Sequence, residues 1–171
     1  MNTLSETEKA YLAGLIDGEG CIFISKYRGK NNVSCVYNLR VIVAMTEKDI
    51  LEDMQKVTGA GRVHYNPTAA KKRDNWSETW QWIVTATDDV RALLDAIHPY
   101  LRIKKSQADT ALEFIQVRST HCGKGVTVPK HITEQREYFR LKLMNQKTRG
   151  NRNHVEIQIP SVKLDLQASL F

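Results

Sequence analysis

Residues 12–20 read Leu-Ala-Gly-Leu-Ile-Asp-Gly-Glu-Gly, and this run occurs once. A small-residue apolar helix that ends abruptly in a carboxylate between glycines constrains the fold more than any other feature of the chain. Small residues let two helices meet backbone to backbone. The acid then sits at the foot of that contact, where a partner's acid can lie beside it. One copy per chain points to a second chain as the partner.

Local signals support the helix. Ser5 and Glu8 have the Ser-x-x-Glu spacing of a capping box, which satisfies two orphan amides at a helix start. Ala10, Gly14 and Gly18 recur at i, i+4 and i+8 and share a face. Gly14 costs about 1 kcal/mol relative to Ala inside a helix, so close approach of another backbone is its natural compensation. Ala10, Ala13, Gly14 and Asp17 are the expected dimer contacts. Gly18 and Gly20 are expected to end the helix with unusual backbone angles around Glu19. The bland alternative is a buried helix with a glycine stop and a solvated Glu.

The nine-residue string resembles the motif of the LAGLIDADG homing endonucleases. It differs where Gly18 replaces Ala and Glu19 replaces the last Asp, and both changes keep a compact backbone and a carboxylate. The resemblance implies an α+β fold: an αββαββα core with a saddle-shaped antiparallel sheet and helices on one face. It also implies a site-specific DNA endonuclease, homodimeric in single-motif members. It spans roughly residues 5–146, giving an expected domain at 1–146 and a basic extension at 147–171.

Composition agrees with that class. The 171 residues suffice for one domain with a sizeable core, and 42% are hydrophobic, so the chain is not of disordered type. Twenty-five Lys and Arg against 19 Asp and Glu give a charge of +6, which favours a polyanionic partner. No run of 18 apolar residues is present, and no secretory signal is expected at the N-terminus. Cys21, Cys35 and Cys122 fit no zinc spacing and read as reduced thiols of an intracellular protein. Mobile introns of the resembled type belong to organelles and prokaryotes, and the sequence does not choose between them.

The remaining pattern alternates helices with strand pairs. Strands are expected at 21–27, 36–45, 62–66 and 78–85, and helices at 46–58, 88–97, 103–118 and 133–145. Loops are expected at 28–34, around Lys71, Lys72 and Arg73, and at 120–130, and His154–Ile159 has the look of an added strand. Period two turns one residue set towards the helices. The outer set is Phe23, Ser25, Tyr27, Asn38, Arg40, Arg62, His64, Asn66, Thr79 and Gln81. Arg suits guanine and Asn or Gln suits adenine, so this face suits base edges in a major groove. In the resembled family the same face contacts DNA. Phosphate contacts are expected from Arg102, Lys142, Lys147 and Arg149, the last three from a 140–152 stretch rich in cations and free of acids.

Phosphodiester hydrolysis needs an activated water, a counter-charge on the phosphorane and help for the leaving oxygen, all of which a divalent metal pair supplies. Glu19 is the expected ligand, since hard oxygens suit Mg²⁺. Two symmetry-related Glu19 carboxylates would repel unless cations lie between them. The resemblance adds the carbonyl of Gly18 as a metal ligand and implies that Mn²⁺ or Ca²⁺ would take the same sites. It places Lys104, within Pro-Tyr-Leu-Arg-Ile-Lys-Lys-Ser-Gln-Ala at 99–108, in the active-site solvent network. It leaves the strand-end site residue as Thr46 or Glu47.

These features predict a Mg²⁺-dependent homodimeric endonuclease. Its two-fold symmetry predicts a long pseudo-palindromic duplex target, and the resemblance implies that it cuts both strands and leaves short 3′ overhangs. The rivals are an intron-RNA-binding maturase and a DNA-binding protein that no longer cuts.

Overall fold

The computed structural model describes residues 1–28, 35–66, 78–119 and 128–147. In chain order the elements are α1 (Glu6–Glu19), β1 (Gly20–Tyr27), β2 (Val36–Met45), α2 (Lys48–Thr58), β3 (Arg62–Tyr65), β4 (Trp80–Val84), α3 (Thr87–Ile97), a 3-10 turn (His98–Tyr100), α4 (Lys105–Ser119) and α5 (Lys130–Lys147). The four strands form one antiparallel sheet in the order β1-β2-β4-β3. This is the expected α+β order. The basic loop at 71–73, most of the 120–130 loop, Arg149 and the His154–Ile159 segment lie outside the described residues.

The sheet buries one face. Ile22 and Ile24 of β1, Leu39, Val41 and Val43 of β2, and Trp82 and Val84 of β4 are buried at alternate positions. Leu12, Ala13 and Ile16 of α1 lie in the same core, with Leu93, Leu94 and Ile97 of α3, Phe114 of α4 and Phe139 and Leu143 of α5. Full burial of each such aliphatic side chain stabilises the fold by about 1.5–3 kcal/mol. Phe114 and Phe139 meet edge to face with centroids 6.3 Å apart, joining α4 to α5. The α2–β3 turn uses left-handed glycines at Gly59 (φ 65°) and Gly61 (φ 76°), and the Trp82 indole donates to the carbonyl of Ala60 at 2.9 Å beside it.

Element boundaries follow the hydrogen bonds. The capping box forms: the Ser5 amide donates to Glu8 Oε2 at 2.7 Å, and the Glu8 amide donates to Ser5 Oγ at 3.3 Å. The helix expected from Thr46 begins at Lys48, because the Thr46 hydroxyl donates to Glu47 Oε1 (3.2 Å) instead of capping. Pro99 ends α3 but not the helical path, since it falls at the start of the 3-10 turn, where its missing N–H costs nothing. The helix expected from 103 starts at Lys105, because the preceding amides are turned elsewhere. The last helix extends from Lys130 to Lys147, so the expected domain boundary after 146 falls within its final turn.

Candidate active site and nucleic-acid face

Two acids stand two residues apart at the end of α1, so they cannot share a helix face. Asp17 turns inward. Its Oδ2 accepts the amides of Arg102 (2.7 Å) and Ile103 (3.2 Å), and its Oδ1 accepts that of Lys104 (2.9 Å). The Lys104 ammonium in turn donates to the main-chain carbonyl of Asp17. Burial pushes the Asp17 carboxyl up, but the amides of Arg102, Lys104 and Ile103 outweigh it and hold the group below the usual aspartate range. Asp17 thus uses both oxygens within its own chain. Ala13, expected among the dimer contacts, is instead fully buried in the core, because it lies on the same side of α1 as Ile16.

The outward side of α1 carries Thr7, Ala10, Tyr11, Gly14 and Gly18, all exposed. A Cβ on Gly14 or Gly18 would meet nothing within 4 Å, so neither glycine is demanded by the chain's own packing. Gly20 adopts ordinary extended angles (φ −78°, ψ 156°), so the expected unusual backbone around Glu19 is absent there. Among the described residues, Gly59 and Gly61 are the glycines with positive φ.

Glu19 is exposed and forms no ion pair or hydrogen bond with any described residue. No group of three His, Cys, Asp or Glu able to hold a metal is present among the described residues. A free carboxylate fits a hard cation, yet one carboxylate and a main-chain carbonyl such as that of Gly18 leave an octahedral ion mostly unligated. Completing the shell needs donors from outside this chain: a second Glu19, phosphate oxygens or water.

Next to this acid is a cavity of about 310 Å³ lined by Gly20, Cys21, Ile103, Lys104, Gln107, Gln146 and Lys147. It brings Lys104 and Lys147 together at the start of β1. Arg102 is exposed at its edge of the Asp17 loop, as a phosphate contact requires. Glu47 is not part of this lining. It sits at the start of α2, with its carboxylate accepting from the Thr46 hydroxyl.

The outer sheet face carries the expected polar residues in rows set by the register. Ser25 lies opposite Asn38, and Phe23 opposite Arg40. Cys21, Ile42 and Ile83 make an apolar middle row that ends on Arg62, followed by Ala44, Gln81 and His64. Asn66 and Thr79 continue it, with the Asn66 amide donating to the Thr79 carbonyl at 2.9 Å. Tyr27 is exposed at the far end. Arg40, Arg62 and His64 form no ion pair with a described residue, and Arg40 Nε is buried without a hydrogen bond.

The helical layer is different. Arg140 Nη2 pairs with Glu137 at 2.7 Å, and Lys142 Nζ pairs with Glu113 at 2.9 Å while lying over the Phe139 ring. The expected acid-free stretch is therefore compensated from one turn upstream and from α4. Lys142, an expected phosphate contact, here ties α4 to α5. Lys147 instead reaches the sheet side, 3.2 Å from Cys21 Sγ and 5.2 Å from the Phe23 ring centre.

Sequence reasoning missed three tertiary partners. Arg118 Nη2 donates to the Asn38 side-chain oxygen at 3.3 Å, filling the edge of β2 beyond the end of β4. Glu137 gathers Tyr37, Lys26 and Arg140. Asp17 had no local signal: helical spacing puts it at i+7 from Ala10 and i+3 from Gly14, on the same side of α1, and its partners at 102–104 are distant in sequence.

Comparison with known proteins fits this arrangement. Residues 12–117 match the family model described as LAGLIDADG endonuclease. The DNA endonuclease I-CvuI of Chlorella vulgaris is 30% identical over 116 residues, a match covering 63% of this chain and 63% of that protein's length. A crystal structure of I-CvuI with DNA, in the presence of Mg and with the DNA not cleaved, superposes with a TM-score of 0.68 at 22% identity, covering 86% of each chain. The archaeal intron-encoded homing endonuclease I-Vdi141I, complexed with DNA, superposes with a TM-score of 0.63 at 15% identity, covering 88% of this chain and 90% of that one. The chain belongs to the LAGLIDADG endonuclease family.

Proposed function

We propose that this chain is a homodimeric, site-specific endonuclease that hydrolyses both strands of a pseudo-palindromic DNA target and leaves short 3′ overhangs. The observation that carries the reading is the unpartnered Glu19 carboxylate. It stands at the foot of an exposed small-residue stripe and beside the cavity that holds Lys104 and Lys147. A two-fold axis along that stripe brings two such acids together, one for each strand.

Glu19 and the Gly18 carbonyl would hold Mg²⁺, with Mn²⁺ and Ca²⁺ as occupants of the same sites. When bound, the metal lowers the pKa of a water and offsets phosphorane charge. Lys104 presents a fixed ammonium to the attacked phosphate. Arg40, Arg62, Gln81 and His64 face the bases, and Arg102 and Lys147 face the phosphate backbone. I-CvuI crystals with target DNA, prepared with Mg or Ca, support this reading by family membership.

The test is a randomised-plasmid cleavage selection with Mg²⁺, alongside EDTA and the Glu19→Gln variant. Double-strand breaks at one recovered site that vanish in EDTA and in Glu19→Gln support the reading. Equal cutting by Glu19→Gln removes that acid from the chemistry. Binding without any cutting leaves a DNA-binding protein.

A further inference from the structure

We propose that Asp17, the other acid of the motif, is the positioning residue that holds Lys104 in register with Glu19. The inference rests on the reading of Lys104 as an active-site cation.

Three successive amides, those of Arg102, Ile103 and Lys104, converge on the two oxygens of one carboxylate. These amides precede the first turn of α4, so an anion there complements the positive end of the helix dipole. The contact also runs in reverse, because the Lys104 ammonium donates to the Asp17 carbonyl. Lys104 is thus tied at both ends: its backbone to the Asp17 side chain and its side chain to the Asp17 backbone.

The geometric consequence follows from α1. Asp17 and Glu19 are separated by one residue of the same helix, so their relative placement is rigid. The 102–104 segment has no regular structure of its own and joins two helical pieces. Without the Asp17 carboxylate, the amides of 102–104 lose their shared acceptor, and Lys104 keeps only the Ala108 amide on its carbonyl and its ammonium's contact with the Asp17 main chain. Asn at position 17 keeps the shape but turns an acceptor into a donor that faces an amide, and it also removes the charge.

A displaced catalytic group slows chemistry without weakening ground-state binding, and misplacement of about 1 Å costs on the order of a hundredfold. Asp17→Asn is therefore expected to slow single-turnover cleavage at saturating protein by at least about tenfold, with DNA affinity in Ca²⁺ unchanged.

A double-mutant cycle on single-turnover rate separates positioning from general structural damage. If Asp17 acts through Lys104, Asp17→Asn changes the rate of a Lys104→Ala enzyme by less than about twofold. An equal loss in both backgrounds, or wild-type cleavage by Asp17→Asn, overturns the inference. Wild-type cleavage by Lys104→Ala overturns the role of Lys104 itself, which is a separate result, and the inference falls with it. If Lys104→Ala leaves no measurable cutting, amide exchange decides: Asp17→Asn speeds exchange at 102–104 by at least about tenfold, and unchanged protection overturns the inference. Asp17→Ser, which keeps one small acceptor oxygen, replaces Asn in each experiment if the Asn variant does not fold.

Discussion

A Cβ placed on Gly20 would lie 2.5 Å from the main-chain oxygen of Ile16. The backbone angles at Gly20 are open to any residue, so the constraint is space. At this point α1 reverses into β1, delivering Glu19 to the edge of the sheet. Gly20→Ala forces backbone against side chain and is expected to destabilise the fold by about 1–3 kcal/mol. Thermal melting measures this, at about 2–4 °C per kcal/mol for a domain of this size. An unchanged melting temperature contradicts the packing described for the junction.

Gly14 makes the opposite prediction within one chain. Its helical position leaves the added Cβ in open space, so Ala there adds helix propensity of about 1 kcal/mol. A second copy packed on that stripe has no room for bulk. Gly14→Leu is therefore expected to shift sedimentation equilibrium at least about tenfold towards the single chain. A dimer of unchanged affinity places the contact elsewhere.

Acid sensitivity centres on Glu137. Burial pushes its carboxyl up, but Arg140, the Tyr37 hydroxyl and Lys26 outweigh that and bring the pKa down to about 2 from an ordinary 4.5. The folded state therefore holds this proton less tightly than the unfolded state. Its stabilisation is complete above the ordinary glutamate range and is lost as pH falls towards about 2. The Tyr37 hydroxyl, 2.7 Å from the same carboxylate, is raised by burial and by that charge. Glu137→Gln is expected to lower the melting temperature at pH 7 and to flatten its decline from pH 5 to about pH 3. Parallel decline in both proteins removes Glu137 as the source.

The strands and their faces were legible because period two is local: Leu39, Val41 and Val43 alternate with Asn38, Arg40 and Ile42, and the sheet obeys that alternation. The capping box was legible for the same reason. Helix starts were read less well wherever a distant group decides them. The 102–104 amides bind a carboxylate 85 residues and more away in sequence, so no window around 103 reveals that α4 begins later. The cations of α5 looked uncompensated because Glu113 lies 29 residues upstream of Lys142. Spacing alone made Ala13 resemble an interface residue, whereas its helical angle groups it with Ile16.

Purified mixed dimers test the central claim most directly. One protomer carries Glu19 and its partner carries Glu19→Gln, separated by distinct affinity tags and assayed on supercoiled target plasmid with Mg²⁺. If each acid serves one strand across a shared two-fold axis, the mixed dimer converts supercoiled plasmid to nicked circles and stops there. Linear product at the rate of the unmodified dimer would contradict the account.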